Sequence, residues 1–164
     1  MLQAIDRLSP FWKWIIAVAL CEATGIVSAL LSQTYMNVWF DNLNKPSWNP
    51  PDYVFGPVWT FLYLLMGTAL WLVWKSDAPE PEKKNAEWMF ACQLFLNFWW
   101  SILFFRFHSP GLAFAEIILL LGAIFVTMLR FAPISRLASW LMVPYIAWVS
   151  FASILNYTVW VMNR

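Results

Sequence analysis

The stretch around which the chain is organised reads Trp39-Phe40-Asp41-Asn42-Leu43-Asn44-Lys45-Pro46-Ser47-Trp48-Asn49-Pro50-Pro51 and continues into Gly56-Pro57-Val58-Trp59. Its four prolines fix φ, lack an N–H and bias each preceding residue toward extended geometry, so we expect a stiff loop between two apolar segments. A large indole on a stiff loop usually packs against a surface or a cavity mouth, which makes Trp48 a candidate contact residue. Pro57 fits the first turn of a helix and would place Trp59 and Tyr63 on one face. The stretch therefore predicts a rigid lid that leads into an aromatic wall.

Composition places the chain in a membrane. Apolar residues make up 62% of the 164 residues and charged residues only 12%, values outside the range of an ordinary soluble domain. The net charge of +1 is too small to suggest nucleic-acid binding. Cys21 and Cys92 lie in apolar segments without a local partner, so we expect neither a disulfide nor a metal site. A single histidine, with no partnered nucleophile or phosphate-binding glycine loop, gives no support to soluble-enzyme chemistry.

Five apolar segments are long enough to cross a bilayer, which takes about 20 residues. The sequence predicts them at about 12–35, 54–75, 87–107, 111–130 and 138–162. The predicted fold is therefore all-α, a five-transmembrane-helix bundle that forms a single integral membrane domain over residues 1–164. Residues 36–53 are expected to form the ligand-capping loop, and the polar stretch 75–87 is expected to be a flexible surface loop.

Two of the predicted helices have polar and aromatic side chains on one face. In the third segment this face holds Gln93, Asn97, Trp100 and Phe104. In the fifth it holds Trp148, Ala152, Leu155 and Asn156. Two amides that face lipid would be poorly solvated, so the face of the third segment should point into the bundle. In the fifth segment a small residue one turn from Trp148 leaves space beside the indole.

Several membrane-embedded residues have two interpretations. Cys21, Gly25 and Ala29 form a stripe of small residues that predicts close helix packing. Glu22 fits either a polar residue that faces the bundle or a part of a ligand or proton route. Asn97 and Gln93 fit either interhelical hydrogen bonds or ligand contacts. We expect Glu116 to be interfacial and His108 to be a solvated loop residue rather than a haem ligand.

The distribution of Lys and Arg predicts the topology. Seven of the ten basic residues fall on the side of the N-terminus and of the second and fourth connections. The positive-inside rule then places the N-terminus inside and the Trp/Pro loop outside, if the membrane is a cytoplasmic one. Another membrane would invert that label.

The chain resembles the tryptophan-rich sensory protein and translocator protein (TspO/MBR) family, which includes the peripheral benzodiazepine receptor. Four blocks match in order and spacing, a far more specific signal than any single short motif. They are Trp39-Phe40-x-x-Leu43-x-Lys45-Pro46-Ser47-Trp48-x-Pro50-Pro51, Gly56-Pro57-Val58-Trp59-x-x-Leu62-Tyr63-x-x-Met66-Gly67, Gln93-Leu94-x-Leu96-Asn97-x-x-Trp100-x-x-x-Phe104-Phe105 and Pro144-Tyr145-x-x-Trp148-x-x-Phe151-Ala152-x-x-Leu155-Asn156.

The resemblance implies a five-helix bundle, often a homodimer, with a pocket beneath the first loop. In the family this pocket binds porphyrins such as protoporphyrin IX or haem, and sterols and isoquinoline or benzodiazepine-type ligands also bind. No cofactor is required, and the porphyrin or haem is a ligand. By motif position the implied ligand-binding residues are Trp48, Trp59, Tyr63, Asn97, Trp100, Trp148, Ala152 and Leu155.

Three functions follow as hypotheses. The first is a porphyrin-binding membrane protein that transports, sequesters or senses tetrapyrroles. The second is light-dependent porphyrin breakdown, which the resemblance associates with the positions of Trp59 and Trp148 as photochemical residues. The third is a structural membrane dimer or a sterol-binding protein. The cholesterol-recognition pattern of mammalian members is incomplete here, because Val161 stands where the basic residue would be. We therefore expect a bacterial-type member rather than one of the mitochondrial outer membrane.

Overall fold

The computed structural model describes residues 9–164, apart from the side chains of residues 33–38. Every regular element in this part of the chain is helical. The long helices are α1 (Pro10–Trp39), α2 (Asp52–Trp74), α3 (Glu80–Ser101), α4 (Pro110–Ile134) and α6 (Val143–Met162). The short helix α5 (Arg136–Leu141) precedes α6, a single 3₁₀ turn (Phe40–Asn42) follows α1, and a π-helical turn (Ile102–Arg106) extends α3.

The described residues contain five segments long and apolar enough to cross a membrane: Pro10–Ser32, Asp52–Trp74, Glu80–Arg106, Pro110–Ile134 and Arg136–Met162. The predicted all-α, five-helix fold is therefore confirmed. The fifth segment consists of α5 and α6, with Met142 between them. Ser135 caps the start of α5, because its hydroxyl oxygen accepts a hydrogen bond from the Ala138 amide at 3.3 Å.

Three local predictions were wrong. The stretch 75–87 is not a loop throughout, because α3 already begins at Glu80. Pro81 and the acidic residues of the first turn favour a helix start there, although the turn is too polar to be recognised by hydropathy. Helix α1 reaches Trp39, so the backbone of the expected loop 36–53 is helical over its first residues. Pro57 lies inside α2 rather than in its first turn, because the helix begins five residues earlier at Asp52.

The stripe of small residues on α1 meets α2. Cys21 is fully buried, and the ring of Tyr63 lies against Gly25 where a side chain would otherwise stand, whereas Ala29 is exposed. Further along the same interface, a Cβ added to Gly67 would meet the Val18 Cα at 2.5 Å. The two helices approach so closely because these glycines have no side chain, in agreement with the predicted packing face.

Three segments that connect or end the helices meet at one end of the bundle. Trp39, at the end of α1, stacks on His108 in the α3–α4 turn, with ring centroids 4.6 Å apart. The side-chain amide of Asn156 on α6 donates to the Pro110 carbonyl at 2.8 Å. The first loop contacts the end of α6 through Asn44 and Asn163. Thus the first loop, the α3–α4 turn and the last turns of α6 lie together.

Candidate functional site

The first loop lies over α6 through one aromatic contact. Trp48 meets Phe151 edge to face, with ring centroids 5.9 Å apart, and 46% of Trp48 remains exposed. A turn within the loop supports this position, because the backbone N–H of Asn49 donates to the Pro46 carbonyl at 3.0 Å. The loop therefore places an indole over the end of the bundle while leaving part of it accessible.

Beneath the loop, aromatic rings from α2 and α6 pack against one another. Trp59 stacks on Tyr63 at a centroid distance of 5.6 Å and meets Tyr145 edge to face at 6.3 Å. On the other side, Trp148 lies 5.5 Å from Phe151. A ring from α2, Phe55, meets Trp148 edge to face at 5.9 Å. The two tryptophans expected at the centre of the site are thus each half-buried and flanked by other rings.

Asn97 joins two tyrosines at the centre of the bundle. The Tyr63 hydroxyl donates to Asn97 Oδ1 at 2.5 Å, and Asn97 Nδ2 donates to the Tyr145 hydroxyl at 3.1 Å. All three side chains are buried, and they belong to α2, α3 and α6. The sequence left two interpretations for Asn97, interhelical hydrogen bonds or ligand contacts. The structure shows interhelical hydrogen bonds, which link three helices at one point.

A second polar connection runs from α3 through α6 to α4. Trp100 Nε1 donates to Asn156 Oδ1 at 3.1 Å, and the amide of Asn156 donates onward to Pro110. Trp100 also stacks on Phe104 at 5.5 Å. These contacts hold the indole of Trp100 at the side of the α3–α4 turn, where it packs in the same cluster as Leu155.

A few buried polar atoms have no hydrogen-bond partner among the residues that the structure describes. They are the Trp148 indole nitrogen, Asn49 Oδ1, both side-chain polar atoms of Gln93 and both carboxyl oxygens of Glu116. Trp148 Nε1 can only donate, and Asn49 Oδ1 can only accept. The loop residue and the α6 residue could thus offer one donor and one acceptor to a bound molecule.

The structure connects the eight residues implied by motif position. Tyr63 and Ala152 belong to one buried cluster, against which Trp59, Trp100 and Trp148 pack. Asn97 bonds to Tyr63, Leu155 shares a cluster with Trp100, and Trp48 joins Trp148 through Phe151. These contacts place the residues in one region, and their role in binding stays a prediction.

Sequence reasoning did not select four residues that contact this region: Phe55, Tyr145, Phe151 and Asn49. A helical signal was available for three of them, because Tyr145 and Phe151 each lie three residues from Trp148 and Phe55 lies four residues before Trp59. Asn49 could not be found this way, because it lies in the loop rather than on a helix.

The placement of the remaining candidates differs from expectation in two cases. Glu116 was expected at the interface, but only 9% of it is exposed, so it is buried on α4. His108 is exposed as expected, yet it stacks on Trp39 and adopts a positive φ of 51°. Glu22 is half-buried on α1, and its two interpretations stay open.

A groove of about 570 Å³ lies elsewhere, between α1, α2 and α3. It contains none of the eight predicted residues. Leu20, Val27 and Phe95, which line it, are exposed apolar side chains of membrane-spanning helices. The groove is therefore part of the lipid-facing surface, separate from the candidate site beneath the first loop.

The fold and these contacts define a multi-pass α-helical membrane protein in which a proline-rich loop covers an interior of aromatic and amide side chains. The chain belongs to the TspO/MBR family, whose sequence profile matches residues 17–161. This finding confirms the resemblance.

Individual relatives come from bacteria, archaea and animals. The tryptophan-rich protein TspO of Chlorobaculum tepidum is 43% identical over 148 residues, which cover 90% of this chain and 94% of the relative. That of Archaeoglobus fulgidus is 34% identical over 151 residues, with 92% and 97% covered. The translocator protein of Homo sapiens is 41% identical over 127 residues, with 77% and 75% covered.

Proposed function

We propose that this protein binds a tetrapyrrole such as protoporphyrin IX or haem beneath the first loop, and that it transports, sequesters or senses this ligand. The observation that supports the proposal most directly is the environment of Trp148. Its indole N–H is buried without a partner among the described residues, while its ring is flanked by Phe55 and Phe151. A planar aromatic ligand with carboxylate groups could use both the ring face and the N–H donor.

The aromatic wall supports the same chemistry. Tyr63 is buried and stacks on the half-buried Trp59, so it would hold that indole in position for contact with a flat macrocycle. Stacking on indoles does not need an axial metal ligand, so the proposal does not depend on a histidine beside the macrocycle. Binding of sterols or of isoquinoline and benzodiazepine-type ligands, and assembly into a homodimer, stay predictions of the family resemblance.

The test is a titration of purified, detergent-solubilised protein with protoporphyrin IX in the dark. We expect saturable quenching of tryptophan fluorescence, and weaker binding by about tenfold in Trp148→Phe, which loses the indole N–H. Trp88→Phe is the matched control, because Trp88 is 68% exposed on α3. Equal affinity in unmodified protein and in both the Trp59→Phe and Trp148→Phe variants would contradict this site.

Light-dependent breakdown of the porphyrin is the second candidate. It is favoured by the Trp59–Tyr63 stack, because the Tyr63 ring can pass one electron across this contact to an oxidised Trp59. In the net reaction the porphyrin supplies the electrons and dioxygen accepts them. The same titration in light, with dioxygen as oxidant, distinguishes the two functions. Loss of the porphyrin absorption band with a new absorbing product, abolished in Trp148→Phe, would favour the enzyme. An intact band with saturable quenching would favour binding and transport.

A further inference from the structure

The last residues of α6 hold the first loop through one side chain. The backbone N–H of Asn44 donates to Asn163 Oδ1 at 2.9 Å, and Asn163 Nδ2 donates back to the Asn44 carbonyl at 2.9 Å. The two residues are 119 positions apart in sequence, so this contact joins distant parts of the chain. A side-chain amide thereby pairs with both polar groups of one loop residue, as a neighbouring strand would.

The same amide is also bound to its own helix. Asn163 Nδ2 donates to the Val159 carbonyl at 2.7 Å, near the point where α6 ends. Both amide hydrogens and the oxygen of Asn163 thus take part in hydrogen bonds. The bond to Val159 fixes the orientation of the side chain relative to α6, independently of the loop. Only an amide of this length supplies one acceptor and two donors at that position, since Asp lacks the donors and Ala lacks both.

Apart from Asn163, the loop meets the bundle through apolar packing, and Leu43 packs against the cluster that includes Leu155 and Val159. The ion pair of Lys45 with Asp41 at 3.8 Å and the turn from Pro46 to Asn49 lie within the loop region itself. Among the described ring contacts, Trp48 meets α6 through its edge-to-face contact with Phe151, and 46% of Trp48 is exposed. Release of Asn163 would remove the two hydrogen bonds that join Asn44 to the end of α6 and leave apolar packing to hold Trp48 over the bundle.

From these contacts we infer that Asn163 is the latch of the first loop: a positioning residue that holds Trp48 over the candidate site and limits the rate at which a ligand enters and leaves. The inference rests on the proposed function, because it assigns regulation to that same site. A latch that breaks before entry and re-forms after it changes the association and dissociation rates together. The equilibrium affinity then changes little.

The experiment compares Asn163→Ala with Asn44→Ala, and the second variant is a matched control. Asn44 takes part in the latch through its backbone alone, so removing its side chain leaves all three hydrogen bonds of Asn163 in place. Asn163→Asp is the third variant, since its carboxylate would face two carbonyl oxygens. Hydrogen exchange of the loop amides and stopped-flow quenching by protoporphyrin IX are measured on each protein in detergent.

We expect the Asn44 amide to exchange about tenfold faster in Asn163→Ala and Asn163→Asp than in the unmodified protein. Both rate constants for protoporphyrin IX should rise by about the same factor, and the dissociation constant should change by less than about threefold. Asn44→Ala should behave like the unmodified protein. Unchanged exchange in Asn163→Ala, or faster exchange with unchanged ligand rates, would overturn the latch. Failure of the proposed function appears differently, as absent saturable quenching in the unmodified protein.

Discussion

Two amides lie one helical turn apart on the buried face of α3, and they differ in what surrounds them. Asn97 accepts from Tyr63 and donates to Tyr145, so it connects three helices. Gln93 is fully buried, yet neither of its polar atoms has a partner among the described side chains and backbone groups. The same spacing argument predicted both to face inward. The position of a polar residue on a helical face predicts the direction in which its side chain points. Its hydrogen-bond partners depend on which residues of the other helices lie at the same level in the bundle.

The contrast extends to other pairs of similar groups. Trp100 donates its indole N–H to Asn156, whereas the indole N–H of Trp148 has no described acceptor. The partnered groups stabilise the contacts between helices. The unpartnered ones carry a free-energy cost that a hydrogen bond from a ligand or a water molecule would remove, since a polar group buried without a partner costs free energy.

The largest expected effect comes from breaking the partnered amide. Asn97→Leu leaves two buried tyrosine hydroxyls without their partner, so we expect the free energy of unfolding to fall by about 2 kcal/mol. Gln93→Leu is the matched comparison and should be neutral or stabilising, because no described hydrogen bond is lost. Unfolding in mixed detergent micelles measures both. A loss in Gln93→Leu as large as that in Asn97→Leu would remove the distinction between them.

A smaller effect of the opposite sign is expected at Glu116. Both carboxyl oxygens are buried without a described partner, so Glu116→Leu should raise the free energy of unfolding by about 1 kcal/mol. The same micelle assay measures it, with Asp77→Leu in the exposed connection between α2 and α3 as control. Destabilisation by Glu116→Leu would show that the carboxyl has a favourable partner, such as a buried water, in the folded protein.

The smallest effect separates the two tryptophans. Trp100→Phe and Trp148→Phe remove the same atoms, but only the first breaks a described hydrogen bond. We expect the first to reduce the free energy of unfolding by about 0.6 kcal/mol more than the second. Protoporphyrin binding should show the reverse order, with the greater loss in Trp148→Phe. A larger decrease in the free energy of unfolding in Trp148→Phe than in Trp100→Phe would contradict this expectation.

Hydropathy found all five membrane-crossing segments but misplaced their ends. The first turns of α3, from Glu80, are polar and exposed, so a criterion that detects burial in lipid does not register them. Pro81 in the first turn of the helix is a signal that hydropathy does not use. The loop from Lys45 to Pro51 was recognised as non-helical from its prolines alone, because their restrictions act on the local backbone.

The sequence by itself determined the fold class, the aromatic faces and the stiff first loop, because hydropathy, helical spacing and proline geometry act within one segment. Only the tertiary structure decided that Asn97 lies between Tyr63 and Tyr145, that Glu116 is buried and that Asn163 holds Asn44. These are contacts between residues far apart in the chain. They depend on how deep each helix lies and how it is rotated against its neighbours, which side-chain packing sets and no single segment encodes.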